Sequence, residues 1–284
     1  MPPRRKAALA PISSEGQPPK GNAVPTLVQL FSDPITWAFF ALFAGLWTVE
    51  ALAPGRPLPH IPGHRARGVV ALLGFFLISS YLPYFVAPLL EPLRVADLSG
   101  LGLGGAALVM LLYQALGYAY HRSMHASNVL FRALHQGHHC SERLDVASAF
   151  YFGPLDMIGW TLVSTLALSV LGVTPEATTV FVLAGSFVSI FQHSNIKTPR
   201  WLGYLIQRPE SHSHHHGRGR HRSNYADLPI FDVLFGTFYN PKEFAPATGY
   251  YDGASARVGD ILLLRDVTTP RADAALELGS SAHP

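Results

Sequence analysis

Residues 101–120 read LGLGGAALVMLLYQALGYAY, twenty positions without a charge, and residues 121–125 read HRSMH. A helix satisfies its own backbone donors and acceptors where water is absent, so the first stretch has the length and polarity of a membrane span. Where the apolar run stops, His121 and His125 stand at i and i+4, on one face of a continuing helix and one turn apart. A pair of imidazoles with bidentate spacing therefore marks a membrane exit.

The remainder of the chain has the same character. Its 284 residues are 49% hydrophobic and 14% charged, with a mean hydropathy of +0.22, too apolar for an ordinary soluble domain. The net charge of +3 comes from scattered arginines, so no nucleic-acid partner is expected. Cys140 is the only cysteine, which excludes an intrachain disulfide and a cysteine-based zinc or iron–sulfur site. Residues 1–30 read as a flexible leader: prolines alternate with Arg4, Arg5 and Lys6, no helical or strand period appears, and no secretory apolar run follows. Residues 31–250 read as a membrane domain with its core at about 100–250, and 251–284 as a C-terminal tail.

Further apolar blocks run over 36–53, 69–90, 158–173 and 177–191. Thr174-Pro175-Glu176 joins the last two into a helical hairpin whose ends emerge on one face. The expected fold class is all-α, an integral membrane bundle of about four or five transmembrane or hairpin helices with a cytosolic helical cap carrying the histidines. The hairpin brings 121–157 and 192–284 to one side of the bilayer. Arg56, Arg65 and Arg67 lie in the loop on that side, whereas the opposite loop has Arg94 beside Glu91 and Asp97, so the arginine bias makes the histidine side cytoplasmic.

Of the 14 histidines, 11 fall between His121 and His221. After His121 and His125 comes His135-Gln-Gly-His138-His139, with i, i+3, i+4 spacing, so that three more side chains can converge on the same space. His193 follows the hairpin, and His212, His215 and His216 repeat the spacing of the second group. An isolated i, i+4 histidine pair is more often a polar helix face than a metal site, and 212–216 alone could be a flexible metal-sequestering loop, but their conjunction on one side of the membrane is hard to attribute to composition. Nine imidazoles exceed what one tetrahedral zinc takes and suit two near-octahedral first-row ions, with iron the ion expected.

The stretch 100–250 resembles the fatty acid hydroxylase/sterol desaturase superfamily of membrane di-iron oxygenases. HRSMH, HQGHH, FQHSN and HSHHH occur in that family's order, and Asn224-Tyr225 followed by Asp232-Val-Leu-Phe235-Gly236-Thr237 is similar to its closing motif. The resemblance implies that His121, His125, His135, His138, His139, His193, His212, His215 and His216 are metal ligands. Lys197 stands where a second histidine often follows the one at His193, so Asn195, His221 or water is the candidate for a tenth ligand. Tyr151-Phe-Gly153-Pro154 replaces an Arg-x-His-Pro element of relatives. Asp232 is expected to orient an imidazole, with Asp145 and Asp156 as further candidates for that task. His214 reads as a neighbour of the site or an exposed residue, and Tyr113, Tyr118 and Tyr120 as an interfacial belt or the lining of a substrate tunnel.

The chemistry that follows is hydroxylation or desaturation of an unactivated C–H bond in a lipid, a fatty acyl, sterol or other isoprenoid chain, with two iron ions as cofactor and O2 as co-substrate. The chain has no nucleotide-binding glycine loop and no cysteine set, so a separate electron donor is implied, whether ferredoxin, cytochrome b5 or a reductase. No catalytic residue beyond the metal ligands is expected. A zinc protease would need Glu after the first histidine, where Arg122 stands. A His-rich metal-binding or metal-transport protein is the stronger rival, but it would carry ionisable ligands inside its spans.

Overall fold

The computed structural model describes residues 24–220 and 222–271. Short helix α1 (Leu27–Ser32) starts inside the stretch read as leader, capped by Thr26, whose hydroxyl accepts from Gln29 N. Five long helices follow: α2 (Pro34–Leu52), α3 (His64–Leu90), α4 (Gly104–Ala126), α5 (Pro154–Leu171) and α6 (Pro175–His193). Among the described residues there is no β-strand. The chain is an all-helical membrane protein. By length and composition, α2, the run His64–Leu93 and α5 are long and apolar enough to cross a bilayer.

The helix boundaries have local causes. Asp33 accepts from Ile35 N and Pro34 occupies the first position of α2. Thr174 accepts from Ala177 N ahead of Pro175 in α6. In both, fixed proline geometry is placed where its missing N–H costs nothing. Helix α3 continues through Pro83 and Pro88, as spans embedded among neighbours tolerate. Helices α5 and α6 outrun their apolar blocks and reach 18 and 19 residues, or about 27–29 Å at 1.5 Å per residue, close to the ~30 Å of a hydrocarbon core.

Chain direction alternates so that the C-terminal ends of α2, α4 and α6 meet the N-terminal ends of α3 and α5. At the other end, Val95 N and Leu98 N donate to Val170 O and Leu171 O, and Ala106, Val109, Ala167, Ala177 and Phe181 pack together. Nearer the histidines, Phe39, Phe43, Leu72, Phe76, Phe150 and Ile190 form a second apolar cluster. Gly68 of α3 approaches the Ala147 backbone so closely that a Cβ there would collide with the carbonyl of Ala147.

Glu50, buried near the end of α2, crosslinks the histidine-bearing end. Its Oε2 accepts from Val146 N at 2.9 Å and from Asn195 N at 2.7 Å. His64, at the start of α3, lies 2.8 Å from Asp145. The region set apart as a tail is packed as far as it is described: Ala254, Ile261 and Val267 surround buried Cys140, and Val267 N donates to Gln136 Oε1.

Candidate metal centre

Helix α4 runs unbroken from its apolar part through His121 and His125. A π-helical turn, Phe131–His135, then leads into the short helix Gln136–His139. Gln136 fixes this segment through Nε2 to Arg265 O and Oε1 to Val267 N. Gly137 is required by packing, since a Cβ there would stand 2.8 Å from Ile261 Cγ2. The third box lies on helix α7 (Pro209–His215). Fully buried Arg208 precedes it, paired with Glu210 at 3.0 Å and donating to Thr198 O and Asn240 Oδ1. Glu210 in turn accepts from Thr198 N and its hydroxyl, a carboxylate placed favourably in the first turn of a helix.

These elements gather the nine histidines into two adjoining groups. His121, His125, His135, His139 and His215 form one, and His138, His193, His212 and His216 the other, with the nitrogens of each group all within 4.8 Å of one another. The division follows helical geometry. The i, i+4 pairs 121/125, 135/139 and 212/216 each stay within one group, whereas the i+3 members His138 and His215 cross to the other. Successive residues on a helix point about 100° apart, so His138 and His139 diverge. The expectation that 135–139 converges on one space is thus corrected to two neighbouring spaces. The groups abut where the His139 and His216 rings stack, 4.2 Å between centroids and 14° between planes.

Second contacts fix the tautomers. His121 Nδ1 donates to Tyr225 O at 2.7 Å, His215 Nδ1 to Ser223 O at 2.7 Å, and His193 Nδ1 to Ser189 O at 2.6 Å. His135 Nδ1 donates to Asp156 Oδ2 at 2.9 Å. Carbonyl oxygens only accept, so in His121, His193 and His215 the proton is on Nδ1 and Nε2 carries a lone pair, and an ionised Asp156 selects the same tautomer of His135. In the first group those lone pairs face each other: His121 Nε2 is 2.9 Å from His135 Nε2 and 3.0 Å from His215 Nε2. Three acceptors at hydrogen-bond distance with no proton to share repel one another, and a cation among them removes the conflict. Burial pushes the imidazoles of His135, His138, His139, His212, His215 and His216 well below the ordinary range, leaving them neutral, the form that binds a metal. The donor set therefore fits a pair of first-row metal ions.

The two carbonyls serving His121 and His215 come from one tight turn. Ser223 and Asn224 have φ of 66° and 59°, and Asn is among the residues that tolerate this left-handed region. The Asn224 side chain holds the turn by donating to Ser211 O and Tyr239 O and accepting from Tyr239 N. Asp232 contacts no imidazole in this arrangement. Its carboxylate accepts from Tyr225 N, Ala226 N and the Thr237 hydroxyl, so it positions His121 through the Tyr225 backbone, and the direct contact expected of it falls to Asp156. Asn195 serves as a strut: its N–H donates to Glu50, its Nδ2 to Arg56 O, and its carbonyl accepts from Gly55 N. Lys197 pairs with Glu243 at the surface. His214 turns away from both groups, with Nε2 3.1 Å from Glu243 O. His221 lies outside the described residues.

A narrow cavity of about 60 Å3 opens beside both groups. His121, His135, His138, His193 and His212 form one wall, and Phe75, Tyr113, Phe150, Phe152 and Trp160 the apolar remainder. Of the three tyrosines singled out from sequence, Tyr113 lines this cavity, Tyr118 is buried against Phe235 and Tyr225, and Tyr120 packs edge-on against Trp160. Sequence reasoning missed a polar cluster on the cavity rim. Gln192 Nε2 and Gln114 Nε2 donate to the two carboxylate oxygens of Asp227 at 2.7 and 3.2 Å. Gln114 was visible as the one strongly polar side chain inside the 101–120 run.

Residues 106–237 match the fatty acid hydroxylase family model. Through that segment the chain is similar to the fatty acid hydroxylase family. The matched segment runs from the first turn of α4, through every histidine of the two groups, to Thr237. The chain is also similar to alkylglycerol monooxygenase of Homo sapiens, 32% identical over 131 residues, which is 44% of this chain and 28% of the human protein. The similarity thus spans little more than a quarter of that relative. No solved structure matches.

Proposed function

We propose that this protein is a membrane oxidoreductase of the fatty acid hydroxylase/sterol desaturase superfamily that hydroxylates or desaturates a C–H bond of a lipid with O2 and externally supplied electrons. The observation that carries the reading is the convergence of the unprotonated Nε2 atoms of His121, His135 and His215 at 2.9–3.0 Å, next to a second group of four imidazoles. Two iron ions would be held there, one by His121, His125, His135, His139 and His215, the other by His138, His193, His212 and His216. Bound iron would supply the O2 reduction and C–H oxidation that amino-acid side chains cannot perform. The match to the fatty acid hydroxylase family model and the similarity to a monooxygenase support the same class.

The chain's own residues supply the rest. Asp156 and the carbonyls of Ser189, Ser223 and Tyr225 hold four of the rings in the ligating tautomer. Phe75, Phe150, Phe152 and Trp160 exclude water from the space in front of the histidines. That space is narrow, so a lipid chain enters as these aromatic side chains part. The arginine bias of the loops supports a cytoplasmic location of the histidines, where a soluble or membrane-anchored donor would deliver electrons.

The test is metal analysis of the purified protein, followed by O2 uptake with a lipid substrate and a reductase system. About two irons per chain and lipid-dependent O2 consumption are expected. Ion flux in proteoliposomes without O2 uptake would favour the transport alternative and overturn the oxygenase reading.

A further inference from the structure

Three consecutive leucines, Leu262, Leu263 and Leu264, stand exposed at 56%, 64% and 40% where the short helix Val258–Leu262 ends. Leu264 has a φ of 55°, the left-handed conformation that closes a helix and usually falls to glycine or asparagine. A leucine is thus kept where its backbone is disfavoured and its side chain meets no core. The place of this turn accounts for it. A Cβ on Gly137 would stand 2.8 Å, and one on Gly153 4.0 Å, from Ile261 Cγ2, and Gly153 caps α5, which is apolar and long enough to span. Ile261, Leu264 and Leu155 of the first turn of α5 line one crevice. The leucines therefore lie at the level where α5 enters the bilayer, and an exposed apolar run at that level belongs among lipid chains.

Beside the leucines the surface is cationic. Leu263, Arg257, Arg265, Arg271, Asp252 and Asp260 line an open cavity of about 550 Å3. Asp260 is shared by three guanidiniums, with Arg257 Nε and Arg271 Nη2 at 2.8 Å and Arg265 Nη1 at 3.5 Å. Asp252 pairs with Arg218 at 2.8 Å, so the lining keeps a surplus of positive charge. Arg257 is fully engaged, its Nη1 with the Tyr251 hydroxyl and Thr269 O and its Nη2 with Asp266 O. Arg271 gives Nε and Nη2 to Asp260. Among the described residues that leaves Arg271 Nη1 and nearly the whole guanidinium of Arg265, groups that only donate and whose fork matches the oxygens of a phosphate. Unmatched arginines next to exposed leucines fit an anion that carries acyl chains.

We propose that the turn 262–271 is a binding site for an anionic phospholipid of the leaflet at the histidine-bearing end, with Arg265 and Arg271 on its phosphate and Leu262, Leu263 and Leu264 among its acyl chains. The lipid is a structural ligand here and not the compound oxidised, so the site stands whether or not the oxygenase reading does. It adjoins the second histidine box, because Arg265 O and Val267 N hold the side chain of Gln136, between His135 and His138.

The experiment titrates purified full-length protein in neutral detergent micelles at low salt with dioleoylphosphatidylglycerol, dioleoylphosphatidylcholine or inorganic phosphate, and reads the shift of the thermal unfolding midpoint. Wild-type protein should bind phosphatidylglycerol at least about fivefold more tightly than phosphatidylcholine, the factor that one basic residue near a lipid surface provides, and inorganic phosphate at the same concentration should leave the midpoint in place. Arg265→Gln removes only the 3.5 Å contact from the fold and should lower the phosphatidylglycerol preference about fivefold. Leu263→Ser should weaken both lipids alike. Equal affinity of the wild type for the two lipids would overturn the proposal, and this comparison decides it even if a variant does not fold. A shift by inorganic phosphate as large as that by phosphatidylglycerol would make this a free-anion site and overturn it too, as would an undiminished preference in folded Arg265→Gln.

Discussion

Asp156 Oδ2 lies 2.9 Å from His135 Nδ1, and both side chains are sealed from solvent, at 0% and 1% exposure. The carboxylate comes from the first turn of α5, so this one contact couples a membrane helix to the second histidine box. Removing such a partner typically costs about 10–100-fold in metal affinity. Asp156→Ala should lose iron on that scale, while Asp156→Asn, which keeps an accepting oxygen, should retain most of it. Equal iron binding by the alanine variant and the wild type in a chelator competition would show that His135 needs no orienting partner.

His138 and His215 lie in different groups, and neither belongs to an apolar span. Alanine at either position should abolish turnover and lower bound iron while membrane insertion stays intact. His214→Ala should keep most of its iron, because His214 faces Glu243 O and not the groups. Metal analysis of the three purified variants checks this, and full activity in His138→Ala or His215→Ala would refute the ligand assignment.

Acid should act on the metal-free protein through the same imidazoles. Burial depresses the folded-state pKa of His135, His138, His139, His212, His215 and His216, whereas the unfolded chain titrates at about 6.5. Below that value the unfolded state binds more protons than the native state, so native stability falls as pH falls. The unfolding midpoint of the metal-free protein should be level above about pH 7 and drop progressively toward pH 5. Iron should be released over the same range, since protons compete for the ligand lone pairs. A midpoint flat from pH 7.5 to 5 would contradict the assignment of these rings as neutral and buried.

Two packing variants probe the scaffold under the site. Glu50→Ala leaves Val146 N and Asn195 N without their acceptor, at a cost of about 1–3 kcal/mol. Gly68→Ala forces a methyl group against the Ala147 carbonyl, an overpacking cost of about 1–3 kcal/mol. Both should lower the thermal midpoint in detergent, and an unchanged midpoint in either would show that α2 or α3 is not seated on the 146–148 turn as described.

Sidedness can be read by labelling. Cys140 is buried at 0% exposure and is the only cysteine, so background reaction is low. A cysteine in place of exposed Arg218 should react with a membrane-impermeant maleimide in inverted vesicles and not in intact cells. The reverse pattern would place the histidines outside.

Much of this was legible from sequence because it is periodic or local. Apolar block length gave the helices, the proline-led hairpin gave the common side of the histidines, and i, i+4 spacing gave the pairs. What could not be read was the assignment of each i+3 histidine, which depends on how the segments face one another. The partners of the rings were equally hidden: three of the four Nδ1 acceptors are backbone carbonyls, which no residue type announces. Asp232 carries the appearance of an imidazole partner, but it acts one peptide away, through Tyr225. The Asp227 cluster joins residues 113 positions apart, beyond the reach of any local pattern.

The exchange of His138 and His215 between the groups also limits how such a protein can change. Because 135–139 and 212–216 each contribute to both groups, the spacing between the groups is set by the pitch of a helical turn and not by the length of a loop. Losing either 135–139 or 212–216 would strip histidines from both groups together, so neither of these segments can be shed to leave one group whole.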